Sequence, residues 1–299
     1  MKKYLVQIVV FFALAFAIDV VAGKVFAYMV ENAKGGTNGR NNTLCGKVDA
    51  DILVFGSSRA AHHYNSIILA DSLGKSCYNC GQDGNGSILN YARYQLICQR
   101  YHPKVVIYDV IASFDLLVGE DNHKYLKWLK AYYDKKGIPE VFEAVDSTEK
   151  YKMQSQMYRY NTNFIQIVSD FIHPLQDADI NGFLPVNKEM DTMKVSGEKK
   201  SKQDFEFDLL KITYLNKMLD GSPESKFVFV FSPIWYGLDS IGRAQLKPVM
   251  DICQQRNIPF IDFSNDPKFV HNNEYFYDGV HLNARGADEF TRDLVKYLR

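Results

Sequence analysis

The sequence has no excess of either charge: 35 Lys and Arg stand against 35 Asp and Glu in 299 residues. A chain without a basic bias is poorly suited to a nucleic-acid surface, so no nucleic acid is expected among its partners. No internal repeat or low-complexity tract is visible, which excludes a repeat array. Cysteine is scarce and odd in number. Cys45, Cys77, Cys80, Cys98 and Cys253 are too few for a dense disulfide framework. Cys77 and Cys80 have the CxxC spacing of a redox or zinc site, but no second ligand pair follows, so both are read as structural. Tryptophan occurs twice, against 19 Tyr and 20 Phe. The hydrophobic share of 46% and charged share of 23% are those of an ordinary globular chain and argue against disorder.

The sequence does hold one long apolar run. Lys2 and Lys3 precede YLVQIVVFFALAFAI, in which only Gln7 is polar, and the run continues past Asp19. Tyr4 to Gly23 is about a bilayer's thickness of helix. A short basic flank before such a run is the pattern of an export signal or signal anchor. Ala13, Ala15 and Ala17 leave cleavage open, and the reading favoured is an uncleaved anchor over residues 1–31. With Lys2 and Lys3 inside, everything after residue 30 lies outside the cytoplasm. Residues 32–49, rich in Gly and Asn, read as a linker, and 50–299 as the folded domain.

Within that domain, short apolar runs recur at 49–56, 75–81, 104–111, 226–233 and 258–264. Runs of this length suit strands buried on both faces of a parallel sheet. Helical patterns separate them, at Ile88–Tyr101, Phe205–Leu219 and Ile241–Arg256, with a last helix from Ala284 to Leu298. The alternation predicts a three-layer α/β sandwich with a mostly parallel sheet. Residues of about 116–202 break the rhythm and read as a largely helical insertion over the strand ends.

Ligands of an open parallel sheet collect at the carboxyl ends of its strands. The first strand ends in Gly56-Ser57-Ser58-Arg59. A glycine permits a tight turn into a helix, whose first amides could hold an oxyanion, although a serine there also serves as a plain N-cap. Near the other end stand Asp278 and His281. An Asp three residues before a His, in a turn before a helix, lets the carboxylate orient the imidazole and frees Nε2 to take a serine proton. Asn283 is the expected cap of the final helix.

With these residues the chain resembles the SGNH/GDSL hydrolase superfamily over roughly residues 50–299, the insertion excluded. The resemblance implies a flavodoxin-like three-layer α/β/α sandwich and ester hydrolysis or acyl transfer. It aligns the nucleophile with Ser58, the last block with Asp278, His281 and Gly286, and the glycine amide of the second block with Gly84, ahead of Gly81 and Gly86. The third block departs from the family: Tyr108 to Asp115 contains no asparagine. Ser113 is the expected substitute oxyanion donor, with Arg59 as another candidate. Trp235 and Tyr236, after the fourth strand, are candidate substrate contacts, while His62 and His63 are read as surface or packing histidines. The implied partner is an acylated glycan, acetylated foremost, or a small acyl ester, with the membrane engaged through the N-terminal helix. No cofactor and no metal are implied. The missing asparagine keeps a second reading open, a catalytically weak or inactive relative that binds glycan or scaffolds a polysaccharide export or modification system.

Overall fold

The computed structural model describes residues 1–119, 126–161, 163–173, 181–191, 201 and 203–299. These form two compact units: Met1–Lys47 with Asn122–Gln176, and Val48–Asp121 with Asp177–Arg299.

The second unit is built on five strands: β1 Ile52–Phe55, β2 Cys77–Asn79, β3 Val105–Asp109, β4 Lys226–Phe231 and β5 Phe260–Asp262. They run in the order β2-β1-β3-β4-β5, and every pairing is parallel. Side chains alternate across the sheet, as the twofold strand period requires. Ile52, Val54, Ile107, Val228 and Val230 share one core with Phe290 and Leu294 of the helix Ala284–Leu298. On the opposite face Phe55 and Phe227 meet Tyr94 of the helix Ser87–Cys98, which packs on the helix Leu209–Asp220. The sheet is therefore covered on both sides, the α/β sandwich expected from the apolar runs. Its strand order reverses between β1 and β3, which opens a crevice at their carboxyl ends.

One helix differs from expectation. Residues 241–256 form two helices, Ser240–Gln245 and Lys247–Arg256. Pro248 has no N–H to give to a preceding carbonyl, so it starts a new helix rather than continuing one.

The first unit contains the helix Lys2–Glu31, long and apolar enough to cross a membrane. Its residues 2–18 are exposed, and burial begins at Asp19. The Asp19 carboxylate accepts from Ser155 Oγ at 2.8 Å and from the amides of Gln156 at 2.8 Å and Met157 at 2.7 Å. Farther along, Val30 packs with Tyr160 and Ile167. Where a linker was expected, Gly36–Gly46 is a helix with Leu44 and Cys45 buried. Asp170 accepts from both the amide and the side chain of Asn38, at 3.0 and 2.7 Å. Gly, Asn and Thr are weak helix formers, and these tertiary contacts override their preference. The insertion is helical in short pieces, among them Ile138–Val145, Gln156–Tyr160 and Phe164–Ile172. Much of the polar stretch expected near its end, 178–180 and 192–200, lies outside the described residues.

Candidate active site

β1 runs into the helix Ser58–His63 through Gly56, whose φ is +143°. A Cβ there would meet Asp109 O at 2.7 Å and Ala60 Cβ at 2.8 Å, so both the conformation and the space require glycine. The turn separates its two serines. Ser57 Oγ is buried with no partner among the described residues, whereas Ser58 Oγ is 2.7 Å from His281 Nε2.

His281 Nδ1 lies 2.9 Å from Asp278 Oδ2 and 3.1 Å from Oδ1. Asp278 Oδ1 also accepts from the amides of Val280 and His281, both at 2.8 Å. Burial pushes the Asp278 carboxyl up, but hydrogen bonds from His281 and Val280 outweigh that and hold it below the usual carboxylate range. An ionised Asp278 fixes the proton of His281 on Nδ1 and leaves Nε2 as the acceptor facing Ser58. Asn283 anchors this turn: its Oδ1 accepts from Gly286 N at 2.9 Å, and its Nδ2 donates to Glu274 O at 2.9 Å. The Tyr277 ring stacks on His281 at 5.4 Å, with 12° between their planes.

Ser58 and His281 open into a cavity of about 460 Å³, walled by Ser113, Phe114, Phe231, Ile234 and Tyr236 among others. A more open cavity of about 630 Å³, beside Val186–Met190 and Arg285, includes neither Ser58 nor His281. Ser113 is thus brought to the site; Trp235 is not among the residues lining it. The Trp235 indole donates to Asn273 Oδ1 at 2.8 Å, and its ring meets His271 edge-on at 4.6 Å, so it packs against the core while its neighbour Tyr236 faces the cavity. Arg59 touches the cavity, yet its guanidinium is committed elsewhere. It pairs with Asp109 at 3.2 Å, donates to Val110 O and lies 4.1 Å over the Phe231 ring. Both partners of the ion pair are buried, so Arg59 has a structural role whatever its part in the site.

Gly84 has φ +72° in a turn flanking the site. That turn is held between Gln82 N, 3.4 Å from Gly56 O, and Gly86, whose Cα lies against Phe114 O. Gly84 itself is not among the cavity-lining residues. Beside it Asn85 is fully buried, and neither atom of its side-chain amide has a partner among the described residues.

The two histidines after Ser58 are neither surface groups nor alike. His62 Nδ1 donates to Leu184 O at 2.7 Å, its Nε2 is 3.3 Å from Asp83, and its ring meets His281 edge-on at 5.9 Å. His63 is wholly buried between Ser232 and Leu282. Only the doublet's closeness to Ser58 marked it in the sequence. No disulfide joins the five cysteines, and burial pushes the Cys77 thiol up to about 12, far from a reactive thiolate.

No model of a known protein family matches the chain, and no curated protein matches it. Its structural neighbours are GDSL-like lipases and acylhydrolases. A candidate acylhydrolase of Bacteroides fragilis is 12% identical, with a TM-score of 0.40 over 83% of this chain and 88% of that one. A GDSL-like lipase of Bacteroides thetaiotaomicron is 10% identical, with a TM-score of 0.39 over 92% and 100%. A family two carbohydrate esterase of Clostridium thermocellum, an active-site mutant, is 10% identical, with a TM-score of 0.36 over 83% and 62%. Likeness at this level concerns the arrangement of the chain, and the functional reading rests on the side chains described above.

Proposed function

We propose that this protein is a serine-dependent carboxylic-ester hydrolase or O-acyltransferase. The observation that carries the reading is the continuous hydrogen-bonded series Ser58–His281–Asp278 opening into a cavity. Ser58 Oγ attacks the acyl carbonyl as its proton passes to His281 Nε2, while Asp278 orients the ring and stabilises the imidazolium. The tetrahedral intermediate collapses, and His281 returns the proton to the departing alcohol. Water, or the hydroxyl of an acceptor, then loses a proton to His281 and attacks the acyl-Ser58, releasing acid or a new ester. The amides of Ser58 and Gly84 and the Ser113 hydroxyl are the proposed oxyanion donors, and the unpartnered amide of Asn85 is a further candidate.

The proposed substrate is an acyl group, acetyl foremost, on a glycan of the cell envelope. A cavity of about 460 Å³ walled by Tyr236 has room for a sugar together with its acyl group. The helix Lys2–Glu31, long and apolar enough to cross a membrane, is the proposed anchor, with Lys2 and Lys3 on the cytoplasmic side and the 50–299 domain outside. Aryl acetates test the chemistry without the natural substrate. Parent protein turns them over, and Ser58→Ala and His281→Ala each lower kcat by roughly 10³-fold or more. The double variant is no worse than either single one, because the pair acts as a unit. No turnover by the parent, or full turnover by Ser58→Ala, overturns the proposal.

A further inference from the structure

We propose that His63 is a positioning residue that holds Ser58 and His281 in register through the backbone of Leu282. The inference rests on reading Ser58 and His281 as the reacting pair.

The 2.7 Å bond between Ser58 and His281 cannot hold their distance by itself, since it breaks and re-forms each time the proton moves. A second, inert link is needed, and the structure has one beneath the site. His63 lies on the same short helix as Ser58, and Leu282 directly follows His281. The Leu282 amide donates to His63 Nε2 at 3.0 Å. That bond requires a lone pair on Nε2, so the ring proton is on Nδ1, where it is donated to Ser232 Oγ at 2.9 Å. Burial, with His281, Arg59 and His62 nearby, holds this imidazole well below its usual range and so keeps the lone pair in place.

The link continues into the sheet. Ser232 follows β4, and its amide donates to Asp109 Oδ1 at 2.9 Å, at the end of β3. The same carboxylate accepts from Tyr64, the residue after His63, at 2.9 Å and from Arg59, four residues before it, at 3.2 Å. Thr291 of the last helix donates to His63 O at 3.1 Å. The ring is thus fixed from the ends of two strands, its own helix and the final helix, and it passes that placement to the His281 turn. A buried network with its donors and acceptors satisfied is rigid, and a displacement of about 1 Å at reacting atoms costs on the order of 10² in rate.

Two near-isosteric replacements separate the halves of the device. His63→Gln places an acceptor near the position of Nε2, whereas His63→Asn places a donor near Nδ1 and leaves the Leu282 amide without a partner. The full chain is assayed with p-nitrophenyl acetate, and hydrogen exchange is followed on the peptide carrying Leu282. His63→Asn is expected to lose at least about tenfold in kcat with KM within about twofold and to exchange faster at Leu282, while His63→Gln recovers most of both. Equal behaviour of the two variants overturns the proposal. Should His63→Asn fail to fold, Ser232→Ala loosens the same ring: lower kcat with faster Leu282 exchange supports the link, and no change in either overturns it. If the parent itself does not turn over ester, the esterase reading fails, while the exchange difference still decides whether His63 holds Leu282.

Discussion

Ser58 Oγ and His281 Nε2 lie 2.7 Å apart although 223 residues separate them in sequence. The parallel sheet makes this possible by ending its strands on one edge, where a turn after β1 and a turn before the last helix meet. The same edge carries Asp109 and Ser232, which tie the turns together from below.

Asp278→Asn keeps the shape of the turn while removing the charge that fixes the His281 tautomer. The expected result is a fall in kcat of about 10²–10⁴-fold with a small change in KM. Because the Asp278 carboxyl sits below its ordinary value of 3.8, it is ionised at all pH values above that, and the parent's activity near neutrality does not report its titration. A pH–rate profile of parent and variant checks both points.

Arg59→Ala is expected to act on stability before it acts on rate. It strips the buried Asp109 of its cation, and such a loss costs about 3–5 kcal/mol. Urea unfolding measures it. A variant of parent-like stability with a selective loss of kcat would instead return Arg59 to the oxyanion role.

Asp115 gives a pH dependence with a definite sign. Burial pushes its carboxyl up to about 7, against the hydrogen bonds from the Ile111 amide and the Tyr108 hydroxyl, while its ordinary value is 3.8. Between those values the folded protein keeps a proton that the unfolded chain releases, so this group removes stability as pH rises. Asp115→Asn abolishes that loss. The Tm of the variant relative to parent should therefore climb by several degrees between about pH 4 and about pH 7 and level off above that.

Tyr236→Ala and Trp235→Phe distinguish the cavity wall from the packed core. Removing the Tyr236 ring from the cavity raises KM by roughly threefold to tenfold. Trp235→Phe leaves KM unchanged and costs stability through the lost Asn273 bond. Steady-state kinetics with one aryl ester, alongside melting curves, read both.

How much of this was legible follows from where the partners lie. The strands are short apolar runs bounded by turn residues, so the sheet can be read locally. Asp278 and His281 fall within one turn, and their spacing alone announces their hydrogen bond. His63 is different: its partners Ser232 and Leu282 are 169 and 219 residues away, and a lone histidine carries no local sign of them. Trp235 and Tyr236 are adjacent and alike in sequence, and only Asn273, reached through the fold, shows which ring turns away. The helix Gly36–Gly46 was hidden because Gly and Asn favour irregular chain until a carboxylate such as Asp170 binds them.

The most direct measurement is the site of covalent modification by a fluorophosphonate, read by peptide mass spectrometry. A single phosphonyl adduct is expected on Ser58, lost in Ser58→Ala and in His281→Ala and retained in Ser57→Ala. An adduct on Ser57 or another residue, or no adduct on the folded parent, would contradict it.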